Sequence, residues 1–256
     1  MSLQIQAIKA FTDNYIWCLS NGRQCVVVDP GDAHPVFDFC KANKLNLSGI
    51  LITHHHADHT GGLPELIAEF PTIPVFGPNN PKIALINQRL QQGDTLTLSE
   101  LNLSFKVMEV PGHTLDHIAF YSPGMLFCGD TLFSAGCGRL FEGSPTQMFQ
   151  SLAKLTALPC DTKVYCTHEY TLANIKFALA VEPMNSVLLE YEIWAKQQRQ
   201  QQLITLPSSI AKEIAINPFL RCDFPPVKSA VEAFWQKSFS SDESVFAGLR
   251  RWKDQF

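Results

Sequence analysis

The chain has 256 residues, 46% hydrophobic and 17% charged, a globular composition long enough to bury a core without covalent staples. A net charge of −4 argues against a nucleic-acid or anionic-membrane partner, and no apolar run approaches the ~18 residues that span a bilayer. The opening Met1-Ser2-Leu3-Gln4-Ile5 has neither the basic nor the apolar region of a secretory leader, so the expected address is the cytoplasm. The eight cysteines include no C-x-x-C pair and read as free thiols, with Cys18 and Cys25 able to face each other across a hairpin.

Strand and helix signals alternate along the first part of the chain. Asn14–Leu19 and Gln24–Asp29 flank Asn21-Gly22, a strong hairpin turn. Pro30-Gly31-Asp32 opens a helix through about Asn43, and the apolar run Gly49–Ile52 reads as a short buried strand. A helix over Leu63–Phe70 and a strand over Ile73–Phe76 follow. Strands are then expected over Thr95–Leu98, Leu101–Val110, Ile118–Tyr121 and Met125–Cys128, a helix over Gln147–Ala157 and a strand over Lys163–Cys166. After Tyr170 the strand signals stop. Leu172–Glu182, Ser186–Gln202, Ser208–Ile214, Pro226–Gln236 and Glu243–Lys253 read as helices, so residues 1–170 and 171–256 are expected as two domains, the second all-helical.

Chemistry collects at strand ends. Thr53-His54-His55-His56-Ala57-Asp58-His59 packs four imidazoles and a carboxylate into seven residues, directly after a strand. Imidazole nitrogen and carboxylate oxygen are the usual protein ligands of zinc and similar cations. Alternation along an extended backbone lets His54 and His56 converge on one point, and a following kink lets Asp58 and His59 face a second. His113, in Pro111-Gly112-His113-Thr114, Asp130, in Cys128-Gly129-Asp130-Thr131, and His168, in Thr167-His168-Glu169-Tyr170, each follow an apolar strand. Taken singly each is an ordinary turn residue; with the His run they make five imidazoles and two carboxylates, enough for two metals.

The order T-H-H-H-x-D-H, P-G-H-T, G-D-T and a late His resembles the metallo-β-lactamase superfamily. Thr131-Leu132-Phe133-Ser134-Ala135-Gly136-Cys137-Gly138-Arg139, Phe141-Glu142-Gly143, Thr167-His168-Glu169-Tyr170-Thr171 and the ending Arg250-Arg251-Trp252-Lys253-Asp254-Gln255-Phe256 are similar to the hydroxyacylglutathione hydrolase (glyoxalase II) family. This resemblance implies an α/β fold, the αββα sandwich of that superfamily, followed by a small helical domain that contributes to glutathione binding. It implies that His54, His56 and His113 hold one divalent metal, that Asp58, His59 and His168 hold another, and that Asp130 bridges them. Zinc is the expected metal, with iron or manganese suited to the same donors. His55 is expected to face away, and His34 and His117 have no ligand role in the pattern, although His117 sits where it could support a ligand.

The implied substrate is an S-(2-hydroxyacyl)glutathione, chiefly S-D-lactoylglutathione, cleaved to glutathione and D-lactate by hydroxide held between the metals and oriented by Asp58, the step that completes methylglyoxal detoxification. No serine or cysteine nucleophile is needed, and the chain has no G-x-S-x-G. Arg139, Phe141, Tyr170, Arg250 and Lys253 are the implied glutathione contacts, the last two sharing a helix face at i,i+3. Phe141 stands where some members carry Tyr, and Asp116 where a Gly is usual, a difference that matters if that position needs positive φ. A monomer is expected. The competing readings are a glutathione persulfide dioxygenase, another hydrolase of the same fold, and a metal or thiol carrier without catalysis.

Overall fold

The computed structural model describes residues 2–256. They form two compact units whose segments interleave along the chain: one runs up to Glu109 and resumes over Asp116–Gly129, the other takes Val110–Leu115 and Asp130–Phe256.

The first unit begins with β1 (Gln4–Ala10), β2 (Asn14–Ser20) and β3 (Gln24–Val28), an antiparallel set. The Asn21-Gly22 turn works as its residues dictate: Gly22 takes φ 86° and the Asn21 side chain accepts from the N–H groups of Arg23 and Gln24. Helix α1 (Ala33–Asn43) starts where Asp32 accepts from the His34 N–H at 3.0 Å. It crosses to β4 (Asn46–Leu51), which lies parallel to β3. After α2 (Ala57–Thr60) and α3 (Leu63–Glu69), the parallel run continues through β5 (Val75–Pro78) and β6 (Gln88–Leu90). Ile16, Val27, Ile50 and Val75 from this sheet pack with Val36 of α1 and Leu63 and Leu66 of α3 in one core. β7 (Thr95–Leu98), β8 (Leu103–Glu109), β9 (Ile118–Ser122) and β10 (Met125–Gly129) form an antiparallel meander with Phe105, Phe120 and Phe127 edge-to-face inside it.

The second unit opens with a two-stranded hairpin, β11 (Leu132–Phe133) and β12 (Gly136–Cys137). Then come α4 (Pro145–Thr156), held by a Ser144–Gln147 capping box, and β13 (Lys163–Cys166). α5 (Thr171–Val181), α6 (Ser186–Gln200), β14 (Ser208–Ser209), α7 (Ile210–Ile216), α8 (Pro225–Trp235) and α9 (Asp242–Lys253) complete it. A chain of ring contacts runs through its core, Phe149–Phe246–Phe219–Phe177–Trp252–Phe234, with centroids 4.2–5.9 Å apart.

Four sequence expectations need correction or refinement. The strand foreseen from Leu101 starts at Leu103, because Ser99–Leu101 closes a 3-10 turn and Asn102 takes a left-handed φ of 50°. The tail is not purely helical: β14 pairs with β13 through Val164 and Lys163, satisfying backbone groups on that strand. Cys25 lies directly opposite Ser20, with Cys18 its diagonal neighbour across the strand pair and within side-chain reach, and Cys40 of α1 is a second sulfur neighbour at 3.6 Å. Asp116 is not among the described residues with positive φ. Its carboxylate instead faces His55 Nδ1 at 2.9 Å and accepts from Asn80 Nδ2 at 2.7 Å, a polar role glycine cannot fill.

Candidate metal centre and active site

The His run is built by two backbone conformations in succession. Leu51 ends β4, the chain bends at His54, His56 is extended at φ −62°, and α2 begins at Ala57. His54 and His56 therefore project from the segment before the helix, and Asp58 and His59 from the first helical turn. Buried Asp29, at the end of β3, organises the run: its Oδ1 accepts from the Thr53 N–H and its Oδ2 from the Thr53 hydroxyl, both at 2.7 Å. Having donated its only proton, Thr53 Oγ1 must accept from His54 Nδ1, 3.0 Å away, so a neutral His54 ring carries its acceptor lone pair on Nε2. His54 Nε2 lies 3.1 Å from His56 Nδ1. His59 Nδ1 lies 3.0 Å from Asp29 Oδ2, so Nε2 is the nitrogen left to serve as a candidate ligand, 3.6 Å from Asp58 Oδ2. Asn14 Nδ2 donates to that same Asp58 oxygen at 3.1 Å.

The second unit holds the other cluster, with His113, Asp130 and His168 all nearly buried. His113 Nδ1 donates to the Arg139 carbonyl at 2.7 Å, so in the neutral ring Nε2 carries the lone pair. Asp130 Oδ2 lies 3.4 Å from that nitrogen and 3.3 Å from His168 Nε2. Tyr170 stacks on the His168 ring at 4.7 Å and 4°.

Ring nitrogens and carboxylate oxygens that converge at 3.1–3.6 Å are spaced as ligands around one cation would be. Two ligands each about 2.1 Å from a tetrahedral zinc stand roughly 3.4 Å apart, so both clusters fit divalent metal. Both are made of the residue types that hold one, with no thiolate among them.

The remaining histidines behave differently. His117 is buried and stacks on His54 at 4.5 Å, His55 faces Asp116, and exposed His34 pairs with Glu65. Of the expected glutathione contacts, Arg139 is exposed with its guanidinium 5.5 Å above the Phe141 ring, and Phe141 meets the His113 ring edge-on. Arg250 is only 5% exposed and donates to the Cys137 carbonyl at 2.9 Å and to Asp254 at 3.0 Å. Lys253 stands over the Phe177 ring, and burial, then the charge of Arg250, lowers its pKa to about 8. Sequence reasoning passed over Asp29 and Asn14. A carboxylate directly after an apolar strand and before Pro30-Gly31 was the signal available for the first; nothing local marks the second.

Residues 12–168 match the metallo-beta-lactamase superfamily, and residues 169–256 match the hydroxyacylglutathione hydrolase C-terminus. The chain is similar in fold to ETHE1 from Myxococcus xanthus, with a TM-score of 0.67 and 23% identity over 98% of this chain and 91% of that one. Mixed sheets with flanking helices, His/Asp clusters at strand ends and an appended helical part define the class: a metallo-β-lactamase-fold enzyme. Closer likenesses narrow it. A hydroxyacylglutathione hydrolase from Idiomarina loihiensis is 50% identical over 254 residues, 98% of this chain and 99% of its own length. One from Pseudoalteromonas translucida is 51% identical over 258 residues, 99% of this chain and 100% of its own. The chain belongs to the hydroxyacylglutathione hydrolase family.

Proposed function

We propose that this chain hydrolyses S-(2-hydroxyacyl)glutathione thioesters, S-D-lactoylglutathione first among them, to glutathione and the free 2-hydroxy acid, and so serves methylglyoxal detoxification. The observation that carries this reading is the whole-length likeness to hydroxyacylglutathione hydrolases in a chain whose own ring nitrogens and carboxylates converge at 3.1–3.4 Å. His54, His56 and His113 would hold one zinc, Asp58, His59 and His168 a second, with Asp130 shared. Metal held by these residues would supply Lewis acidity, lowering the pKa of water and polarising the thioester carbonyl.

The rest is done by side chains. Asp58, its Oδ2 tied to Asn14, orients the attacking water by accepting its proton. Asp29 and Thr53 hold His59 and His54 in the tautomers that present a lone pair. Arg139, Lys253 and the field of Arg250 answer the carboxylates of glutathione, while Phe141 and Tyr170 offer ring faces. In this reading residues 1–170 are the catalytic part and 171–256 the helical part that helps bind glutathione, in a monomeric cytoplasmic enzyme. Among the described residues no helix is long and apolar enough to cross a membrane.

Zinc-loaded protein is expected to consume S-D-lactoylglutathione without oxygen, with about two metals per chain by elemental analysis. Negligible turnover there, together with rapid oxygen uptake on glutathione persulfide, overturns the assignment.

A further inference from the structure

The hairpin β11–β12 has two residues in each strand, too few to fix its own position, yet every residue of it is buried. Its base carries the second metal-donor cluster. Asp130 stands one residue before it, across Thr131, and Gly138 immediately follows, so near that a Cβ there would lie 1.9 Å from the Asp130 carbonyl oxygen. Gly138 N–H closes the base on Thr131 O at 3.2 Å. The next residue, Arg139, supplies the carbonyl that sets the tautomer of His113. Where the hairpin sits therefore decides where Asp130 and His113 sit.

Helices of the C-terminal part grip it residue by residue. At its tip Ala135 takes a left-handed φ of 55° and donates its N–H to Glu213 Oε2 of α7 at 2.8 Å. Asn217 Nδ2 lies within 3.2 Å of the Phe133 and Gly136 carbonyls and of Glu213 Oε2. Asn174 of α5 donates to Ser134 O at 3.0 Å, Tyr191 of α6 meets the Ser134 hydroxyl at 2.9 Å, and Arg250 of α9 takes the Cys137 carbonyl. The Ser208 hydroxyl donates to the remaining Glu213 oxygen.

We propose that Glu213 and Asn217 are positioning residues for the hydrolysis: they fix the 132–137 hairpin and, through it, the Asp130 carboxylate and the His113 ring as metal donors. The proposal deepens the hydrolase reading above and rests on it. A buried polar network that merely stiffened the helices would have no reason to end on hairpin backbone. The bonds require acceptor oxygens rather than a negative charge, since a glutamine amide oxygen can accept from Ala135 and Asn217 while its NH2 donates to Ser208.

The test compares zinc-loaded wild type with Glu213→Ala, Glu213→Gln and Asn217→Ala. Zinc affinity is measured by competition with a chromophoric chelator, kcat and KM on S-D-lactoylglutathione, and folding by circular dichroism. Glu213→Ala, folded at the assay temperature, is expected to lose about 10–100-fold in zinc affinity with a parallel fall in kcat, and Glu213→Gln to restore most of both. Wild-type zinc affinity and kcat in folded Glu213→Ala, or a Glu213→Gln as impaired as the alanine variant, overturns the proposal. Should Glu213→Ala not fold, Asn217→Ala decides: it removes the bonds to the Phe133 and Gly136 carbonyls, and an unchanged zinc affinity overturns the proposal. If wild type binds zinc but leaves the thioester intact, the hydrolase reading falls, while the affinity series still reports on the hairpin.

Discussion

Asp58 presents one oxygen, Oδ2, to both Asn14 and His59, which restricts the carboxylate to one orientation. An orienting base contributes to the transition state more than to substrate binding, so Asp58→Ala is expected to cost about 10²-fold or more in kcat while KM moves little. Steady-state kinetics on metal-loaded protein check this; an intact kcat removes the orienting role. Lys253 offers a second test. Its pKa is lowered to about 8 by burial and by Arg250, so the ammonium loses its charge as pH rises through that value. If it receives a glutathione carboxylate, KM rises above pH 8 with kcat flat, and Lys253→Arg, whose guanidinium stays charged, holds KM level to about pH 9.5. A KM profile indifferent to that exchange takes Lys253 out of the binding site.

Elements place these groups by where they stop. β4 ends before the His run, and β10 ends at Gly129, with φ 49°, directly before Asp130. A Cβ at Gly129 would lie 2.4 Å from Thr53 Oγ1 and 2.8 Å from the His117 ring, the groups that support His54. Gly129→Ala combines left-handed strain with that clash and is expected to destabilise by about 2 kcal/mol or more, read as a lower urea midpoint. The longer elements were legible in sequence because their signals are local: Asn21-Gly22 turns, Asp32 caps, and apolar runs mark β4 and β10. β11 and β12 were not, since two residues have no period to detect, and their pairing is imposed by Glu213, Asn217 and Asn174 from far along the chain.

At the scale of the molecule, burial pushes the Glu213 carboxyl up to about 7, against the bonds from Ser208, Ala135 and Asn217, which lower it. Between an unfolded value of 4.5 and about 7 the folded chain holds a proton that the unfolded chain has released. Stability from this group is therefore greatest below pH 4.5, falls as pH rises to about 7 and is flat beyond, a span of about 3 kcal/mol. Glu213→Gln is expected to remove that component, seen as a shallower decline of the urea midpoint from pH 5 to about pH 7.5 than in wild type. An identical slope in both excludes Glu213 as its source.

The sequence by itself determined the family and offered the candidate donors, because metal chemistry needs particular side chains and these lie in short runs at strand ends: His54, His56, Asp58, His59, then His113, Asp130 and His168. Only the tertiary structure decided how those donors are held. Asp29 reaches His59 across thirty positions of chain, Asn14 reaches Asp58 across more, and α7 fixes the hairpin beside Asp130. Hydrogen bonds reach only about 3 Å in space, whatever the separation in sequence, so no local pattern announces them.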